Sequence, residues 1–354
     1  MISIERLKPI VSITLLYVCA TGAGWAFSRI GLPLPWMIGP LILSALCYVT
    51  GIMKTRVPVE TRPFGQMTVA VQVGLAFTPA AFGALLTLAP LLVGMALVTA
   101  VCASVVAILM ARVGRIRLTQ AFLSSFPTSP VEAAVMAEKF DCDPAPIILS
   151  QTMRIAAVVV LIPISLFIVD GFPDRSEVMR GGVFDPVGNG ILALTAIAGA
   201  FVFRKLRLAN PFFLGPLAFS AAVTASGFEL MAFPGLILSI AQIVLGTWLG
   251  STFRRELFLD GGRLVITCLS SALLLLAVVS AIAVGVSSLT GQDWEVLVLG
   301  AAPGGVTEMA LTAKYLGIDL ALVTAFQLTR IFILMPNIPW IIRLINRLEN
   351  RYLS

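Results

Sequence analysis

The chain carries one polar block twice, each time inside apolar sequence. Ser124–Gln151 reads SSFPTSPVEAAVMAEKFDCDPAPIILSQ with Arg154 just beyond, and Gly300–Gln327 reads GAAPGGVTEMALTAKYLGIDLALVTAFQ with Arg330 just beyond. The offset is 303 − 127 = 176 from Pro127 to Pro303, and it also lays Glu132 on Glu308, Asp143 on Asp319, Gln151 on Gln327 and Arg154 on Arg330. The same shift pairs Phe27 with Phe203, Pro35 with Pro211, Gly39 with Gly215, Pro40 with Pro216, Gln66 with Gln242, Gly74 with Gly250 and Pro163 with Pro339. One offset serving from residue 27 to residue 339 marks a duplication, so the fold must be two copies of one unit.

Composition decides what kind of unit. Of 354 residues, 58% are hydrophobic and 12% charged, where a soluble domain carries about 25% charge. The chain is therefore expected to cross a membrane many times. Its net charge of +6 comes from Lys and Arg clustered in loops, which speaks to topology and anionic lipid rather than nucleic acid. Five cysteines show no paired spacing and there is no histidine, which argues against imidazole bases, metal centres and redox pairs. No cofactor and no metal are expected. Arg6 and Lys8 ahead of an apolar run imitate a signal peptide, but the Phe27/Phe203 pairing makes that run the first span of repeat one.

Twelve apolar segments are expected, six per copy, with a charged, Gly/Pro-containing linker between them. The division is 1–169 for the first membrane repeat, 170–188 for the linker and 189–354 for the second repeat. The fifth segment of each copy is interrupted. Arms of about ten residues reach roughly 15 Å, half of a hydrocarbon core of about 30 Å, so Leu118–Phe126 and Pro130–Phe140 read as a re-entrant hairpin or a broken spanning helix. With a hairpin in each copy, the basic clusters near Arg6, Arg56, Arg115, Lys205, Arg255 and Arg347 all fall on one side. The positive-inside rule then makes the copies inverted. The expected fold is an all-α membrane protein of two inverted repeats, each of about five transmembrane helices plus a re-entrant or broken helical hairpin, in the plasma (inner) membrane.

Candidate binding residues cluster at the breaks. Ser129-Pro130-Val131-Glu132 has the form of a capping box, and Gly304 and Gly305 let backbone approach a ligand in the second copy. A carboxylate at each arm start, Glu132 and Glu308, points to a coupling cation or proton rather than an anionic substrate. Arg154 and Arg330 lie near mid-span, where an arginine costs about 2.5–3.5 kcal/mol on insertion scales. Each is expected to sit beside the carboxylate of its own hairpin, or of the other repeat's, because two uncompensated charges cost more than one pair. Gln151 and Gln327 stand three residues before the arginines, on the same helical face. No catalytic residue is expected.

These motifs resemble a known family. LPWMIGPL near 34–41, SPVEAAVMAEKF…ILSQTMRI and PGGVTEMALTAKYLGID…AFQLTRI look like the AbrB family of duplicated membrane proteins, over nearly the whole chain. Repeat one departs from the pattern with Pro-Thr-Ser for Pro-Gly-Gly. Members of that family are labelled as regulators of gene expression, ammonia monooxygenases or transporters, so the resemblance implies architecture more than activity. Inverted repeats, broken helices and intramembrane charge favour a non-enzymatic secondary transporter of a small solute, working by alternating access and coupled to an ion or proton. A membrane protein that affects gene expression indirectly is the alternative, and a monooxygenase lacks its histidine ligands. The expected partners are a small-molecule or ion substrate and the lipid bilayer, without nucleic acid; a homo-oligomer stays open.

Overall fold

In lipid a backbone must satisfy its own hydrogen bonds, so apolar runs of this kind fold as helices. The computed structural model describes residues 4–128, 130–170, 185–208, 210–228, 230–259 and 262–353, and among these it is all-helical. Ser129 and most of the 170–188 linker lie outside the described residues. Repeat one supplies α1 (Ile4–Ile30), α2 (Pro35–Val49), α3 (Arg62–Gly74), α4 (Pro79–Thr87), α5 (Ala89–Gly114), α6 (Leu118–Ser125), α7 (Pro130–Lys139) and α8 (Pro144–Asp170). Repeat two supplies α9 (Pro186–Lys205), α10 (Pro211–Ala225), α11 (Gly235–Gly250), α12 (Arg255–Leu259), α13 (Gly262–Thr290), α14 (Trp294–Ala301), α15 (Val306–Leu316) and α16 (Leu320–Leu353).

The duplication reaches the backbone. Helices α2 and α10, α6 and α14, and the starts of α7 and α15 and of α8 and α16, fall at the same 176-residue shift. Residues with left-handed φ among those described pair off the same way: Gly31 with Arg207, Leu34 with Asn210, Gly51 with Gly227, Arg115 with Gly291 and Asp141 with Gly317. Turn geometry is thus kept even where the glycine that eases it is not.

Among the described residues six helices are long and apolar enough to cross a membrane: Pro9–Ile30, Ala89–Gly114, Pro144–Val169, Pro186–Lys205, Gly262–Thr290 and Leu320–Arg347, three from each copy. Helices α2, α10 and α11 are apolar but shorter; 15 residues reach only about 22 Å. The apolar run after Arg62 is interrupted after Gly74. The chain bends by 86° between α3 and α4, where the Thr78 hydroxyl accepts from Ala81 N at 3.2 Å and starts a new helix. That is an N-cap contact, followed by proline at the first helical position.

Contacts gather into two compact units, each drawing on both repeats: residues 1–86, 163–253 and 310–322 form one, and 87–162, 254–309 and 323–354 the other. In the first, α1 packs on α2 and α9 on α10, while α3 crosses α10 and α11 crosses α2. Lipid is as apolar as leucine, so such crossings gain from close approach of small residues rather than from escaping water. A Cβ on Gly39 would stand 2.8 Å from Ala23 O; one on Gly250 would stand 2.8 Å from Ala45 N, and one on Gly74 2.9 Å from Ala221 N. The last two contacts are equivalents under the repeat, so the third helix of each copy packs on the second helix of the other.

The second unit holds α5–α7, most of α8, α12–α14 and most of α16. Its first hairpin folds back on itself: Arg117, just before α6, donates from Nη1 to Asp141 O, just after α7, at 3.2 Å. The start of α6 is closed by the chain's tail, since Glu349 Oε1 accepts from Leu118 N at 2.7 Å and Oε2 from the Thr119 hydroxyl at 2.7 Å. A carboxylate at those free N–H groups also meets the positive end of the helix dipole.

Candidate functional site

A half-helix that stops inside the membrane leaves its last carbonyl oxygens without donors. Helix α6 ends at Ser125 and α14 at Ala301, and the glutamine and arginine of the following long helix fill both vacancies. Gln151 Nε2 donates to Leu123 O at 2.7 Å and Phe126 O at 2.9 Å. Gln327 Nε2 does the same to Leu299 O at 2.7 Å and Ala302 O at 3.1 Å. Each glutamine then accepts from its arginine's Nη2 through Oε1. Arg154 Nη1 donates to Ser125 O at 3.0 Å and Phe126 O at 3.2 Å, and Arg330 Nη1 donates to Ala302 O. Ser150, which the sequence did not single out, adds a bond from its hydroxyl to Ser124 O at 3.3 Å.

This arrangement corrects one expectation. Among the described residues, the hydrogen bonds of the arginines go not to the hairpin carboxylates but to main-chain carbonyls and glutamine amide oxygens. The physical reason is local supply. A helix C-terminus offers several orphan acceptors and the negative end of its dipole, and a guanidinium has five donors in a planar fork to meet them.

The carboxylates serve the opposite ends. Helix α7 begins at Pro130 with Glu132 in its first turn, and the Thr128 hydroxyl donates to Glu132 Oε2 at 3.2 Å. Ser129, the expected cap, lies outside the described residues. In the second hairpin Glu308 bends back over Gly305, close enough that a Cβ there would run into Oε2. Such folding back is the third-residue half of a capping box. Each break therefore has its carbonyl end met by an arginine and a glutamate in the first turn of the helix that follows. Both glutamates, Gly304 and Gly305 remain partly accessible, while Arg154 and Arg330 are each 3% exposed.

The two breaks also meet. Arg154 Nε donates to Pro303 O at 3.0 Å, so the arginine that closes the first hairpin holds the tip of the second. Arg330 Nη2 donates to the next carbonyl, Gly304 O, at 3.0 Å. Gln66 and Gln242 are elsewhere: Gln66 Nε2 reaches Asn210 Oδ1 at 3.4 Å in the first unit, which also holds the buried Gln242.

The family described as "Transition state regulatory protein AbrB" matches residues 52–346, a stretch that contains both hairpins and both arginines. The chain belongs to the AbrB family. Two relatives align along nearly their whole length. "Uncharacterized protein YhjN" of Bacillus subtilis (strain 168) is 25% identical over 353 residues, covering 93% of this chain and 92% of that protein. "Putative regulator AbrB" of Escherichia coli (strain K12) is 23% identical over 342 residues, covering 96% and 97%. This AbrB protein is thus a polytopic helical membrane protein whose polar groups gather at two paired helix breaks.

Proposed function

We propose that the chain is a secondary transporter in the plasma (inner) membrane, moving a small solute by alternating access between two inverted repeats. The solute site lies between the two hairpin tips, and Glu308 holds a coupling proton or cation. The observation that carries this reading is the Arg154–Pro303 bond of 3.0 Å, which joins two interrupted helices at the arginine's depth in its span. Interrupted backbone at membrane depth is tolerated where it is buried in protein or lines a cavity, and paired broken helices are a common way for transporters to build a site. Loop charge supports inversion, as the basic clusters share one side only if each hairpin returns to the face it entered.

A second reading takes its support from the regulator name carried by the Escherichia coli relative. A regulatory effect would follow from the solute moved, since no loop in the sequence is long enough for a DNA-binding module. Purified protein in proteoliposomes tests the transport reading. Under an imposed proton or sodium gradient, uptake across a panel of small organic anions, amines and amino acids should be saturable for at least one class. No uptake above protein-free vesicles from correctly folded protein would overturn it.

A further inference from the structure

The two arginines hold equivalent positions but are not equally satisfied. Arg154 uses Nε on Pro303 O, Nη1 on the end of α6 and Nη2 on Gln151. Arg330 uses Nη1 on Ala302 O and Nη2 on Gly304 O and Gln327, but its Nε has no hydrogen-bond partner among the described residues. The carbonyl that the repeat would supply, Pro127 O, does not take it. A charged donor in a residue 3% exposed ordinarily has an acceptor.

Charge points the same way. Carbonyls 302, 303 and 304 are taken in turn by Arg330, Arg154 and Arg330, so both guanidinium groups come to one tip. Among the described residues their hydrogen-bond acceptors are all uncharged. Nη2 already serves Gly304 O and Gln327 Oε1, so the vacant Nε is a single charged N–H left to meet one carboxylate oxygen. Beside it Gly304 and Gly305 lead into α15, whose first N–H groups have no intrahelical acceptor.

We propose that the tip of the second hairpin, with Arg330 Nε and the backbone of Gly304 and Gly305, binds the carboxylate of a small organic anion. The proposal rests on the transport reading only for the anion's later fate, not for its binding. Glu308 bends back over Gly305 at the same place, so an arriving carboxylate meets a like charge unless Glu308 takes up a proton.

Thermal unfolding of the purified full chain in detergent tests this with sodium acetate, lactate and succinate against sodium chloride, inorganic phosphate and glycerol 3-phosphate. The expected result is a saturable rise in Tm with at least one carboxylate and none with chloride. Arg330→Lys keeps the charge but loses the Nε donor, and should weaken that binding about tenfold or more; exposed Arg263→Gln should not change it. A flat response to every carboxylate overturns the proposal, as does undiminished binding by Arg330→Lys. Saturation by inorganic phosphate or glycerol 3-phosphate alone also overturns it, assigning the site to free phosphate or a lipid headgroup. Should Arg330→Lys fail to fold, magnetic dipolar coupling between a 13C-carboxylate and 15Nε-arginine in the native chain decides: contact supports the site and its absence overturns it. Carboxylate binding without uptake in proteoliposomes would sink transport and leave this site standing. Uptake confined to amines or neutral solutes, without carboxylate binding, would do the reverse.

Discussion

Arg154 Nε and the carbonyl of Pro303 lie 3.0 Å apart, across 149 residues of sequence, and tie the first hairpin's closing arginine to the second hairpin's tip. Removing that guanidinium opens both breaks at once. Arg154→Gln is expected to cost about 3–5 kcal/mol, the range for breaking a buried charged network. Arg330→Gln should cost less, since one of its donors already lacks a partner. Unfolding of the two variants in detergent, followed by tryptophan fluorescence, gives the ranking.

Because the arginines rest on carbonyls and not on carboxylates, neutralising a glutamate should not rescue a lost arginine. In a double-mutant cycle of Glu308→Gln with Arg330→Gln, the stabilities should add to within about 0.5 kcal/mol. Coupling of several times that size would show that the two charges pair after all.

Gln327→Leu removes the amide that bridges Leu299 O, Ala302 O and Arg330 Nη2. Leaving buried acceptors unmet costs about 1–3 kcal/mol each. The loss should appear as a lower Tm and as faster hydrogen exchange at the end of α14.

Much of this was readable from the sequence, for a definite reason. Proline fixes φ and lacks a donor, so Pro130 behind Ser129 marks the start of α7, although Pro40, Pro163 and Pro216 stand inside helices. The 176-residue shift then carries several boundaries to the other copy, including Asp141/Gly317 and Arg115/Gly291 at turns. The partners of the arginines were not readable. Carbonyl oxygens belong to every residue, so a contact such as Arg330 to Gly304 O leaves no signature of residue type. The Glu349 cap on α6 was hidden because it spans 231 residues to Leu118, and the bend after α3 because Thr78 lies within a continuing apolar run.

The tail contact makes its own prediction. Glu349→Ala strips the acceptor from Leu118 N, Thr119 N and the Thr119 hydroxyl, and loss of such a cap is worth about 1 kcal/mol. Amide exchange at Leu118 and Thr119 should accelerate several-fold, while the tip at Phe126 stays protected.

The most direct test of a site open to each side in turn is a single cysteine at the first tip. Thr128→Cys, made in a background with the five native cysteines replaced, keeps the side chain's size beside Glu132. A membrane-impermeant maleimide is applied to right-side-out and to inverted vesicles. Alternating access predicts modification from both faces, slowed from both when a transported solute is present. Modification from one face alone, whatever the vesicle orientation or added solute, would contradict the account and leave the paired breaks as a fixed structural element.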